Sequence, residues 1–326
     1  MPPLGELNRR FGPWISLVLG IAAVFYMQRG LGFAPVAVGV LLLAWILAAG
    51  LRRITTTPAA PEGAPETPQP RWRRLALPIG GTLIASLWQD ILFYLLPLWW
   101  VSTVMWSSNM VFPTVLVGMA LLSCFDHHWR VHVLDQRIVH AIWSATILFA
   151  TLVPSAAVLG VPLRIGLAVS AAMAALVAAM VLLPQAMTRR SKIGATSVAM
   201  VMVTTLVVWS APLFPPVPVT VTTSGAGTAI RDRNLVGEAY SFPSGTQRVY
   251  VWFAVSAPAR YHQTVRFEWF HDGEPAGGVR EAEVVGGRVQ GFRTWSSRTA
   301  PAPGVWRVEL RTNSSQLIAR TSFEVQ

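Results

Sequence analysis

One cysteine, Cys124, stands in 326 residues, so no intramolecular disulfide staples any part of this chain. Charge is scarce as well: 13% of the residues are Asp, Glu, Lys or Arg, against about 25% in ordinary globular proteins. Acidic side chains are the rarer kind, 15 against 26 Lys and Arg. Neither a nucleophile elbow nor a phosphate-binding glycine loop occurs, which removes two common signatures of catalysis. The residues after the first apolar stretch, Val24-Phe25-Tyr26-Met27-Gln28, contain no small-x-small cleavage site, so that stretch is expected to stay as a first span. The formal charge of +11 comes without a basic-aromatic recognition motif. Nucleic acid is therefore not an expected partner, and anionic lipid headgroups are.

What the chain does contain is apolar sequence, 53% hydrophobic. A membrane span needs about 20 mostly apolar residues, and seven stretches approach that length: 13–27, 31–49, 75–104, 110–125, 138–160, 161–183 and 195–213. The first and fourth are short unless their flanking aromatics are counted as interfacial. Of the fourteen Arg and Lys before residue 215, twelve lie at the N-terminus and after spans two, four and six; Arg29 and Arg164 lie at the other boundaries. By the positive-inside rule the N-terminus is expected in the cytoplasm and everything beyond span seven outside. Trp14, Trp72 and Trp129 then fall near the inner interface, and Trp99, Trp100, Trp106 and Trp209 near the outer one.

Residues 54–70 are rich in Pro, Thr, Ala and Glu and bury too little apolar surface to order themselves. They read as a cytoplasmic linker between a two-helix hairpin (1–53, with the N-terminus) and a five-helix bundle (71–214). Small residues such as Ser170-Ala171-Ala172 in span six suit close helix packing within lipid. After Pro212 the pattern changes to period two. Val249, Val251, Phe253 and Val255 share one face, as do Val265, Phe267 and Trp269; the alternation returns in Trp306, Val308 and Leu310 and in residues 317–325. Asp272-Gly273 and Gly286-Gly287 mark turns between such runs. The expected fold is a membrane all-α bundle of about seven transmembrane helices followed by an all-β immunoglobulin-like sandwich at 215–326.

Few residues carry chemistry. Gln89-Asp90 interrupts span three, with Ser86 and Tyr94 at helical spacing from Asp90. A carboxylate at that depth must face a partner or a water-filled cavity. It serves a proton, cation or ligand site, or it is a protonated packing residue. After span four, His128, His132 and Asp135 fall at i, i+4 and i+7, a spacing able to present two imidazoles and a carboxylate to a metal. The plainer reading of residues 127–140 is a cytoplasmic loop whose histidines titrate beside Arg130 and Arg137. Trp269 and Trp306 sit on apolar faces and read as core, leaving Trp252 and Trp295 as candidates for a ligand surface. His262 and His271 lack a nucleophile, and His271-Asp272-Gly273 reads as a hairpin turn. No cofactor is implied.

Several segments resemble catalogued bacterial sequences. Residues 229–233, 265–273, Gly286-Gly287-Arg288-Val289-Gln290-Gly291-Phe292-Arg293-Thr294-Trp295-Ser296-Ser297 and Pro303-Gly304-Val305-Trp306-Arg307-Val308 resemble a bacterial C-terminal domain of unknown function. Trp88-Gln89-Asp90-Ile91-Leu92-Phe93-Tyr94 and residues 98–103 resemble the multi-span module joined to it in proteobacterial membrane proteins. The resemblance excludes the first hairpin and the linker. It implies an inner-membrane home and no activity. The function expected is a non-enzymatic envelope protein whose periplasmic β domain binds a protein or glycan while the bundle anchors it. The alternatives are a membrane-embedded transporter or enzyme using Asp90 on a lipid-linked substrate, and a membrane sensor.

Overall fold

The computed structural model describes residues 39, 43, 89, 91–124, 136–184 and 186–326, a helical part followed by a β-rich region. The helices are α1 (Ile91–Val101), α2 (Val111–Ser123), α3 (Arg137–Val158), α4 (Leu163–Leu182) and α5 (Arg189–Trp209). Among the described residues three helices, α3, α4 and α5, are long and apolar enough to cross a membrane, where the sequence led us to expect seven over the whole chain. The fourth expected span is corrected to the 13-residue α2. At 1.5 Å per residue it covers about 20 Å, short of a hydrocarbon core of about 30 Å. The polar Ser108–Met110 before it forms a 3-10 turn rather than a further turn of α-helix. Of the third expected span, the described helix is the 11-residue α1; the spans at 13–27 and 31–49 and the linker at 54–70 lie outside the described residues, Gly39 and Leu43 apart.

Helix α5 starts six residues before the apolar stretch that announces it, because the Thr188 side chain caps its first turn by accepting from the Ser191 amide at 3.3 Å. It packs along α4, and α4 along α3. The bundle core gathers Ile91, Leu95 and Trp99 from α1, Leu116 from α2, Ile147 and Ala150 from α3, and Leu167 and Ala171 from α4. Alanines on α4 let α3 and α4 approach closely; Ala156 lies 3.2 Å from where a Cβ on Gly166 would be.

Trp99, expected at a membrane interface, is instead fully buried. Pro154 sits inside α3 and has no N–H for the carbonyl four residues earlier, that of Ala150. The Trp99 indole N–H donates to that freed carbonyl at 3.0 Å, while its ring packs edge-on against Phe112 with centroids 4.6 Å apart. Replacing Trp99 with Phe keeps much of the ring and orphans the carbonyl, so we expect a loss of about 1–3 kcal/mol, read as a lower thermal midpoint of the purified full chain. An unchanged midpoint would show that the bond contributes nothing. Trp100, Trp106 and Trp209 are all exposed.

After α5 the chain turns back and Phe214 inserts into the bundle end, 5.1 Å from Phe112 and 5.2 Å from Phe149. Eleven strands follow among the described residues. The main ones are β1 (Thr220–Gly227), β5 (Arg248–Ser256), β6 (His262–His271), β8 (Arg280–Val285), β9 (Phe292–Thr299), β10 (Gly304–Thr312) and β11 (Leu317–Val325). Short strands β2 (Ala229–Arg231) and β3 (Asn234–Val236) form a separate hairpin, and β4 (Ser241–Phe242) and β7 (Glu274–Pro275) extend the larger sheet. One sheet has the order β1-β5-β9; the other has β4-β11-β10-β6-β7, with β8 also paired to β6.

Alternation decides what each strand buries. Val249, Val251, Phe253 and Val255 of one sheet and Val265, Phe267, Trp269, Val308, Leu310 and Phe323 of the other meet in a single hydrophobic cluster. Trp269 and Trp306 pack there edge to face, 6.2 Å apart, and the Trp269 indole N–H donates to Ser296 at 3.2 Å. Asp272 and Gly273 both take positive φ in the β6–β7 turn, the conformation that an Asp-Gly pair accommodates.

The two parts are joined by more than the chain. Ala157 and Leu163, at the ends of α3 and α4, belong to the β-rich core. The fully buried Asn109 donates to the Leu317 carbonyl at 3.0 Å, and Gln316 donates to the Phe214 carbonyl at 3.1 Å. Tyr261, in the loop at this junction, is buried, which pushes its phenol up from the usual tyrosine value.

Candidate functional site: an aromatic face of the β-rich region

On β5 and β9 the residues between the core positions point the other way, so Tyr250, Trp252, Arg293, Trp295 and Ser297 share the outer face of the smaller sheet. Trp252 and Trp295 are direct partners in the antiparallel register, and Tyr250 is opposite Ser297. Directly paired side chains lie about 4.5–5.5 Å apart at Cβ. The two tryptophans singled out in the sequence therefore form one aromatic strip.

The β2–β3 hairpin lies over part of this face. Its turn residues Asp232 and Arg233 both take positive φ. Gly225 and Gly227 on β1 make the approach possible: a Cβ on Gly227 would come within 2.7 Å of the Val236 carbonyl oxygen, and one on Gly225 within 3.0 Å of Leu235. The Arg233 carbonyl accepts from the Trp252 indole N–H at 2.8 Å. Trp252 is thereby held at 9% exposure, while Trp295 stays half-buried beside it. Arg293, in the adjacent outward position on β9, donates to Gln290 at 2.6 Å. The hairpin had no signal in the apolar pattern, although its Asp232-Arg233-Asn234 turn residues were visible. The arrangement leaves Trp295 as the more accessible indole, beside the Arg293 guanidinium and the hairpin backbone over Trp252.

The other sequence candidates fare differently. Asp90 and Ser86 lie outside the described residues, as do His128, His132 and Asp135. Gln89 is buried and its amide donates to the Cys124 sulfur at 3.5 Å. Tyr94 is 41% exposed. Among the described residues no cluster of His, Cys, Asp and Glu has metal-binding geometry. His262 lies 3.6 Å from Glu283 on the surface, and His271 stacks on Trp306 with its Nε2 3.0 Å from the Pro303 carbonyl oxygen.

Comparison with known proteins places the chain among families without assigned activity. Residues 262–325 match a protein of unknown function family, DUF2914, and contain the Gly286–Ser297 and Pro303–Val308 segments. The tract at 229–233 falls instead within a second match, over residues 6–235, which also takes in the first apolar hairpin and the Pro-rich linker. No curated protein matches. Solved structures of a β-glucosidase from Listeria innocua, with glucose and with gluconolactone, align over 33% of this chain at 10% and 9% identity, with TM-scores of 0.23 and 0.21. The aligned part is 15% of each of those chains. The match over 6–235 takes in most of the sequence, and on that ground the chain belongs to the family of unknown function DUF5924.

Proposed function

We propose that this protein is a multi-pass inner-membrane envelope protein whose β-rich region, an immunoglobulin-like sandwich in the periplasm, binds an envelope protein or glycan through the Trp252–Trp295 face. The observation that carries the membrane part is α5. It runs 21 residues, buries none of them, and exposes Val198, Val201, Met202 and Leu206. Water would make such a surface costly, at roughly 25 cal/mol for each Å² of apolar area left wet, whereas lipid accepts it. The arginine distribution supports an orientation with the cytoplasm on the side of Arg189, Arg190 and Lys192.

Strand order supports the sandwich reading. Taking β1, β5, β6, β8, β9, β10 and β11 in sequence as seven strands, the first, second and fifth form one sheet, and the third, fourth, sixth and seventh the other. Constant-type immunoglobulin domains likewise put strands 1, 2 and 5 in one sheet and 3, 6 and 7 in the other; here the fourth strand has moved to the second sheet, beside the third. The paired tryptophans support binding, since aromatic residues dominate the energetics of recognition surfaces.

The test is crosslinking in intact cells from a photoreactive residue at position 297, next along the same face with both tryptophans retained, followed by identification of what is captured. A defined envelope protein or glycan is expected. Changing Trp252 to Ala, with the probe retained, should reduce capture about thirtyfold, the equivalent of about 2 kcal/mol. Undiminished capture would remove this face from the proposal.

A further inference from the structure

A cavity lies where the start of α4, the end of α5 and the β10–β11 turn come together. It is open to the surface, offers about 610 Å³ and is lined by Arg164, Thr204, Thr205, Trp209, Asn313 and Ser314, among others. No Asp or Glu lines it, and Arg164 forms no ion pair among the described residues. An exposed guanidinium without a counter-ion, facing hydroxyl and amide groups, is a setting for an anion.

The wall opposite Arg164 is held in place rather than loose. The Ser315 amide donates to the Thr312 carbonyl at 2.9 Å, and the Gln316 amide to the Thr312 hydroxyl at 3.2 Å. The Gln316 side chain in turn binds the Phe214 carbonyl, so the turn is fastened to the end of the bundle. Ser315 adds a further hydroxyl, and the apolar part of the lining is Val208 and Pro212, beside a Trp209 that is 82% exposed. This wall continues into the uncovered face of α5, where Leu206 is 61% exposed.

From this we infer that the cavity binds the phosphate group of a membrane phospholipid at the periplasmic surface, with Arg164 as its cation, the hydroxyls and Asn313 as neutral donors, and the α5 face receiving the acyl chains. The inference rests on the proposed membrane orientation, which puts Arg164 at the outer headgroup level, one of two basic residues at those boundaries. A free phosphate offers the same polar chemistry but has no use for the apolar wall. Bound lipid would brace the junction between bundle and β-rich region, since the cavity draws on both.

The experiment uses the full chain in mild detergent, with native mass spectrometry against phosphatidylglycerol, a diacylglycerol of the same acyl chains, or inorganic phosphate. Phosphatidylglycerol should bind, diacylglycerol should not, and millimolar phosphate should not displace the lipid. Arg164→Gln should weaken lipid binding about tenfold or more, as expected for loss of a charge-assisted contact. Asn313→Ala, in the turn outside the helices, should weaken it to a smaller extent and serves if Arg164→Gln folds poorly. Equal binding of diacylglycerol, displacement by phosphate, or undiminished binding in both variants would overturn the inference. Alkaline extraction of cell membranes separates the two levels. Release into the soluble fraction would sink the membrane reading and this site with it, whereas retention with unchanged lipid binding in the variants would sink this site alone.

Discussion

Changing Phe267 to Ala should destabilise the β-rich region by about 3–5 kcal/mol, enough to melt it well before the helices. Phe267 is fully buried, its ring is 5.9 Å from that of Phe253, and those two side chains come from different sheets. Removing the ring leaves a void that neither sheet can close by itself, because each is held by its own ladder. The measurement is tryptophan fluorescence of the full chain in detergent across a urea series. Trp269 and Trp306 lie in the same cluster and report its opening. A midpoint within experimental error of wild type would mean that the two sheets do not share a core.

A comparable loss is expected from an interaction that is polar. Glu309 has 3% of its side chain exposed and is surrounded by three arginines. Arg320 Nε lies 3.1 Å and Arg307 Nε 3.4 Å from its Oε1, and Arg311 binds its Oε2. Arg311 also reaches Glu268 at 3.2 Å. Glu309→Ala removes the carboxylate that the guanidinium groups share and should cost about 3 kcal/mol, the low end for breaking a buried pair because the arginines keep partial access to water. Glu309→Gln retains size and an acceptor oxygen, and should lose less. Both variants are read in the same urea series; stabilities equal to wild type in both would show that the cluster only decorates the sheet.

These two predictions differ in how far the residues announced them. Phe267 stands in an alternating run, Val265-Arg266-Phe267-Glu268-Trp269, and alternation states which side of a strand faces the core without reference to any other strand. Glu309 gave no such signal. Arg307 and Arg311 flank it two residues away on β10, but Arg320 on β11 reaches it only because the register sets Glu309 opposite that residue, and the same register puts Glu268 of β6 where Arg311 bridges the two carboxylates. The candidate site divides along the same line. Trp252 and Trp295 were marked by lying off the apolar faces, but their pairing depends on β5 and β9 being neighbours, although β6 and β8 come between them in the chain. The hairpin that pins Trp252 was missed because three-residue strands are too short to show a period.

Among the helices the same limit appears at Trp99, whose burial the sequence did not announce. Hydropathy and length mark α3, α4 and α5 as elements that suit a membrane, and both quantities are sums over consecutive residues. Trp99 belongs inside because a proline 55 positions later, in another helix, leaves a carbonyl without a donor. No window of hydropathy contains both residues. Local order therefore settled the helical part, the β-rich region, the faces of its strands and the absence of disulfides. Neighbours distant in sequence decided the rest: Trp99 against Ala150, Glu309 against Arg320, Trp252 beside Trp295, and the cavity at Arg164. Each of those depends on which elements pack together, and short-range periodicity carries no information about that choice.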